Sequence, residues 1–185
     1  LGCDSYDLIN QDVEKVPIGS RRLIYLPYLM GERTPHLNPN CRGVFFGLSA
    51  IHTKADMLRA VMEGVSYSLL DCFDILREMK VNVKEMMACG GGGKSRVWRQ
   101  MLADMYGCEV KTIKAQEGPA LGVAILAGVG AGIFPDVQTA CKEFIEQDTW
   151  CQPDAAAHAY YEKGHALYQK LYQKLKDCYE DLAAL

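Results

Sequence analysis

Four consecutive glycines, Gly90, Gly91, Gly92 and Gly93, constrain this chain more than any other feature. They separate a short apolar run (Met86, Met87, Ala88, Cys89), which predicts a strand, from residues 95–106, which predict a helix. Gly107 then stands where a helix C-cap glycine belongs. With no Cβ at four successive positions, a ligand can approach the main chain directly. The helix beyond offers unpaired N–H groups and the positive end of its dipole, the elements of an anion site. A packing turn between strand and helix needs one or two glycines rather than four. The run therefore points to contact with a phosphate or a ribose.

The segments around it alternate. Residues 23–29 (LIYLPYL) read as a buried strand with Pro27 at an edge or end, followed by a loop over 31–42 and a short strand over 44–46. A helix is predicted over 55–80, with Thr53 as N-cap and Leu58, Val61, Val65, Leu69, Phe73 and Leu76 along its core face. After the glycines come the 95–106 helix with Trp98, Met101 and Leu102 as core residues, a strand over 109–113, a small-residue helix from 118 to about 129, and a helix over 137–146. The final helix starts near Asp154 and carries Leu167, Leu171, Leu175 and Leu182 as its apolar stripe. Tyr168, Tyr172 and Tyr179 flank that stripe as packing residues. Strands and helices in alternation predict an α/β layered sheet. Residues 1–22 are polar, contain a turn signal from Pro17 to Gly19, and read as a lead-in; Leu1 in place of Met reads as the cut end of a longer chain. Asp56, Asp71, Asp74 and Asp104 fall on amphipathic helices and are expected to face solvent.

Composition removes several function classes. With 20 basic against 23 acidic residues and no basic stripe, nucleic-acid or anionic-membrane binding has no electrostatic support. The longest apolar run, between Pro119 and Phe134, falls short of the roughly 20 residues a spanning helix needs. The polar, acidic start does not read as a signal peptide. Eight scattered cysteines without a C-x-x-C pair argue against a metal site or a disulfide framework. They suit reduced thiols used as small core residues in the cytoplasm.

The octet ACGGGGKS also meets a relaxed P-loop pattern, in which Lys94 reaches the β- and γ-phosphates and Ser95 holds magnesium. Ala88 replaces its first glycine, however, and no later apolar strand ends in an Asp for the metal. A different stretch is more specific. GVFFGL (43–48), then seven residues, then DMLRAVME (56–63) resembles the second signature of the FGGY carbohydrate kinase family. LPYLMGERTPH (26–36) with Asn38 and Pro39 is similar to the version in its xylulose-kinase members. GGGGKSRVWRQMLADMYG (90–107) and EGPALGVAILAG (117–128) extend the resemblance, which covers nearly everything from 23 to 132.

The resemblance implies an α/β, ribonuclease H-like (actin-like ATPase) fold in three α/β/α layers, as an incomplete C-terminal domain of a two-domain kinase. Residues 23–150 would be the nucleotide-side domain, and 151–185 a helix packed on it. Carried over, Gly91, Gly92 and Gly93 match the segment that approaches ATP, and Lys94, Ser95 and Arg96 stand at the helix start, where relatives use a polar side chain; many relatives have Ala in place of Gly93. On this reading a side chain at Gly92 would weaken ATP binding, and the small helix over 120–127 lets backbones pack closely near the adenine, packing first and binding second. Glu32, Arg33 and His36 are candidates for a loop facing the cleft; the competing reading is an ion-paired turn that braces the first strand. The resemblance also implies ATP with Mg2+ as cofactors and a small-molecule sugar bound mainly by an absent N-terminal domain. That domain would carry the catalytic Asp, leaving no catalytic residue here. D-xylulose is the favoured sugar, with gluconate, glycerol and ribulose open, and a homodimer is compatible with the family. A P-loop NTPase and a non-catalytic interaction domain stand as the alternatives of other classes.

Overall fold

The computed structural model describes residues 6–114 and 118–185, a mixed α/β arrangement of two sheets and the helices packed on them. Cys3 and Glu117, both used in the sequence reading, lie outside the described residues. Helix α2 (Lys54–Glu78) begins at a capping box: Thr53 N–H donates to Asp56 Oδ2 at 2.8 Å, and Thr53 Oγ1 accepts from Asp56 N–H at 3.4 Å. Arg21 Nε adds a bond to Asp56 Oδ1 at 3.0 Å. Burial alone would push the Asp56 carboxyl up, but the Thr53 bonds and Arg21 hold it below its ordinary value.

Asp56 is thus 1% exposed rather than solvent-facing, and two of its companions are corrected with it. Asp71 Oδ1 lies 2.7 Å from His165 Nε2 and accepts from Gln169 Nε2 at 2.8 Å. Asp104 Oδ1 accepts from Asp154 N–H and Gln100 Nε2, both at 2.8 Å. Both carboxylates are buried; Asp74, half-exposed beside Arg77, fits the expectation better. Periodicity registers where apolar residues fall and is blind to a polar partner supplied by another element.

The buried face of α2 is correspondingly polar. Glu63 accepts from Gly19 N–H (2.8 Å), Ser20 Oγ (2.7 Å), Arg59 Nε (2.9 Å) and Tyr161 Oη (3.0 Å). Arg59 Nη1 reaches the carbonyls of Val13 and Val16. These bonds seat the segment expected as a lead-in. It forms α1 (Tyr6–Glu14) and a 3-10 turn (Ser20–Arg22), with Val13 fully buried. The predicted apolar stripe of α2 is less covered: Phe73 is buried, but Leu69 and Leu76 are exposed and line an open apolar cleft of about 510 Å³.

Strands β1 (Ile24–Leu26) and β2 (Val44–Phe46) pair antiparallel, Tyr25 opposite Phe45. Pro27 ends β1 earlier than the predicted residue 29. The second sheet orders β3 (Glu85–Met87), β4 (Glu109–Ile113) and β5 (Gln147–Cys151), with β3 parallel and β5 antiparallel to β4. Strand β5 is absent from the sequence reading because QDTWC is too short and polar to show an alternation. Helix α4 (Arg96–Tyr106) buries Met101, with Trp98 and Leu102 partly covered, and closes at Gly107, whose φ of 64 permits the left-handed cap.

Helix α7 (Ala155–Ala183) starts on the Asp154 cap and buries a stripe of Tyr161, His165, Tyr168, Tyr172 and Tyr179. Leu167 and Leu182, expected on its core face, are exposed. Leu171 is buried as expected, and so are the packing tyrosines; Tyr168 Oη donates to Tyr28 Oη at 2.8 Å, whereas Tyr179 Oη is buried with no partner among the described residues. Among the described cysteines, all free, Cys41, Cys108 and Cys151 are buried as expected, whereas Cys89 and Cys178 are exposed. No described helix is long and apolar enough to cross a membrane.

Candidate functional site

Strand β3 reaches its end still bonded to its parallel neighbour, with Ala88 N–H donating to Lys111 O at 2.8 Å. Both strands therefore finish on one side, and ligands of α/β sheets bind beyond such carboxyl ends. A cleft of about 570 Å³ opens there, bounded by the glycines on one side and by Thr112, Lys114 and Asp148 on the other.

The four glycines are not equivalent. They do not form an open loop before one helix, as the sequence suggested, but a single helical turn, α3 (Gly90–Lys94). Gly90 holds φ at +72, which a side chain rarely adopts. A Cβ on Gly91 would meet nothing within 4 Å, so a side chain there would project into the cleft. A Cβ on Gly93 would stand 3.0 Å from the Ala88 carbonyl, so this glycine lets the turn close on the strand. One on Gly92 would press the Trp98 ring at 3.2 Å, and Gly92 borders the apolar cleft instead. Gly91, rather than Gly92, is thus the position at which a side chain would enter this cleft.

Of the polar candidates, Lys94 is exposed and lines the same cleft as Gly90, Gly91 and Gly93. Ser95 turns the other way. Its backbone is extended, its Oγ accepts from Trp98 N–H at 3.2 Å to cap α4, and it donates to Asn10 Oδ1 at 2.8 Å. With its hydroxyl so engaged and only 8% exposed, Ser95 does not face the cleft, which removes the P-loop role of a magnesium ligand. Arg96 is exposed and does not border the cleft. Helix α5 (Gly118–Gly130), expected near the adenine, packs chiefly on α6 (Val137–Phe144), with only Ile125 and Gly128 buried.

Sequence reasoning missed Arg99. Its Nη1 donates to Gly93 O at 2.6 Å, it is 8% exposed, and it lines the cleft. An arginine between Trp98 and Met101 reads as the polar side of an amphipathic helix, so the sequence carries no signal for it. At the rim, the Lys114 ammonium pairs with Glu146, which raises its pKa. Thr112 Oγ1 shares a 2.7 Å bond with Thr149 Oγ1, tying β5 to the cleft wall.

The loop carrying Glu32, Arg33 and His36 lies elsewhere, and none of the three lines this cleft. Glu32 Oε1 accepts from the Arg33 and Thr34 N–H groups at 2.7 and 3.3 Å, while its Oε2 accepts from Ser68 Oγ of α2 at 3.4 Å. His36 stacks on Tyr172 of α7, centroids 3.5 Å apart, and burial lowers its pKa against the opposing pull of Asp71 and Glu32. Arg33 is exposed. The geometry matches a loop that braces α2 and α7.

Comparison with known proteins adds to this geometry. The family described as "FGGY family of carbohydrate kinases, C-terminal domain" matches residues 3–131. A xylulose kinase of Staphylococcus epidermidis is 38% identical over 182 residues, 98% of this chain and 37% of that protein. Among solved structures, a gluconate kinase from Lactobacillus acidophilus superposes with a TM-score of 0.88 at 31% identity, covering 98% of this chain and 37% of its own. A ligand-bound xylulose kinase from the same organism gives 0.86 at 32%, covering 96% and 36%. The chain thus spans little more than a third of the length of these relatives. Its α/β architecture is the actin-like one of such sugar kinases.

Proposed function

Since this chain belongs to the FGGY family of carbohydrate kinases, we propose that it forms the nucleotide-side wall of an ATP-dependent sugar kinase whose sugar site and catalytic aspartate lie outside these residues. The observation that carries this reading is the glycine turn at the carboxyl ends of β3 and β4, where Gly90 and Gly91 leave room that any side chain would take. ATP fits that cradle chemically, because a turn without Cβ atoms lets main-chain amides come within reach of ribose and phosphate oxygens. ATP brings Mg2+ with it and supplies the transferable phosphoryl group. The glycine turn orients the nucleotide, Lys94 offers a mobile ammonium at the rim, and Arg99 underpins the turn through Gly93. Closure against a second domain would exclude water and align the sugar hydroxyl.

D-xylulose is the sugar this reading favours, given the similarity to the Staphylococcus enzyme. D-gluconate is the second reading, supported by the equally close superposition on a gluconate kinase. The test is sugar-dependent ADP release by the full-length protein with D-xylulose, D-gluconate and glycerol supplied separately. Turnover with D-xylulose alone is expected. Turnover with D-gluconate alone would move the assignment to the second reading, and the absence of turnover with any sugar would sink the kinase reading.

A further inference from the structure

Arg99 is a buried cation at the base of the glycine cleft, and its chemistry is incomplete. The side chain makes one bond, from Nη1 to the Gly93 carbonyl at 2.6 Å. Its Nε is buried and has no hydrogen-bond partner. Among the described residues no carboxylate lies within ion-pair distance of it. Buried Arg59 shows the usual solution in the same molecule, with Glu63, two carbonyls and the Tyr161 hydroxyl around one guanidinium. A guanidinium cannot escape burial by losing its proton, so an unpaired one retains its full desolvation cost. Because Nε is closed off from solvent, a ligand in the cleft would meet the outer guanidinium nitrogens, of which Nη1 already holds Gly93.

We propose that Arg99 is the anion-reading residue of the cleft, its guanidinium completed by a phosphate oxygen of the bound nucleotide while Nη1 holds the Gly93 carbonyl. The inference rests on the nucleotide assignment of this site. It separates two jobs that one side chain performs, bracing the turn and attracting negative charge. A brace alone would affect every ligand of the cleft alike, whereas a charge discriminates nucleotides from nucleosides. Arg99 is therefore a specificity residue for the phosphorylated form of the ligand, which the three neighbouring glycines cannot provide.

The experiment compares ADP and adenosine binding to the full-length protein by titration calorimetry, for wild type, R99Q and R99K. Gln removes the charge and, with its amide two bonds short of Nη1, also gives up the Gly93 bond, so the readout is the ADP loss in excess of the adenosine loss. Lys keeps the charge and loses the fork. With R99Q, ADP affinity is expected to fall about tenfold more than adenosine affinity. R99K should bind ADP at an intermediate level. Equal losses for ADP and adenosine, or unchanged ADP binding by a folded R99Q protein, would overturn the proposal. Should R99Q fail to fold, R99K with wild-type ADP affinity and weakened adenosine binding would overturn it, and selective loss of ADP would support it. Wild-type protein that binds neither compound would defeat the nucleotide assignment itself, a result distinct from all of these.

Discussion

A methyl group on Gly91 points into open space, whereas one on Gly92 points at the ring of Trp98. These adjacent residues should therefore fail differently. Gly91→Val in the full-length protein should raise the KM for ATP about tenfold, leaving that for the sugar within about twofold, because the obstruction lies in the nucleotide half of the cleft. Gly92→Val should act first on stability, displacing Trp98 from its bond to Ser66 Oγ at 2.8 Å. Steady-state kinetics beside thermal melting will distinguish them, and equal effects of Gly91→Val on both substrates would remove the cleft from the mechanism. Asp56 allows a residue-level test of pH. Its folded-state pKa lies below the ordinary value of 3.8, so the carboxylate's contribution is complete above that value and is lost as pH falls through the depressed one. Denaturant titrations of Asp56→Asn should show lower stability at pH 7 and a smaller decline than wild type below about pH 4. Asp104 has the opposite sign: burial raises its pKa, so its charge weakens the fold at neutral pH, and that cost is relieved as pH falls through the raised value.

At the scale of elements, the pair of Arg59 and Glu63 on α2 adds a polar tie to α1 and α7 beside their shared apolar core, Arg59 reaching Val13 O and Glu63 reaching Tyr161. The Glu63 carboxylate receives bonds from Gly19 and Ser20 of the turn before β1, from Arg59 on its own helix and from Tyr161 of α7. Glu63→Ala leaves the buried Arg59 without its anion and should cost about 3 kcal/mol or more, measured by denaturant unfolding. Glu63→Gln, which retains acceptor capacity, should cost less, and equal losses would show that the charge is immaterial. The same elements explain where sequence reading succeeded. Thr53 and Gly107 cap their helices as expected, and Asp154, where the last helix was expected to start, is its N-cap, since capping depends on residues within one turn of the helix end. Burial on α2 and α7 was legible in part: Phe73, Leu171 and the packing tyrosines Tyr168, Tyr172 and Tyr179 are buried as expected. The apolar period also chose Leu69 and Leu167, which are exposed, and missed Arg59, Glu63, Tyr161 and His165, whose polar atoms find many of their partners on other segments.

At the scale of the whole molecule, the proposed reading separates nucleotide contact from turnover. Under the proposed reading, this chain purified alone should show no D-xylulose-dependent ADP release, while the full-length protein should; a clear rate from the isolated chain would place the base within these residues. The glycine run, the α/β alternation and the family signature were all readable without coordinates. Each depends on local backbone chemistry or on a contiguous string of residues. What the coordinates added was direction. They turned Ser95 away from the cleft toward Asn10, set the loop of Glu32, Arg33 and His36 against α2 and α7, and brought Arg99 beneath Gly93. A sequence determines which main-chain conformations are cheap, and so where a phosphate could approach. Only packing between distant segments decides which charges end up buried, and with whom, because the free energy of a buried charge depends on partners that no local pattern can contain.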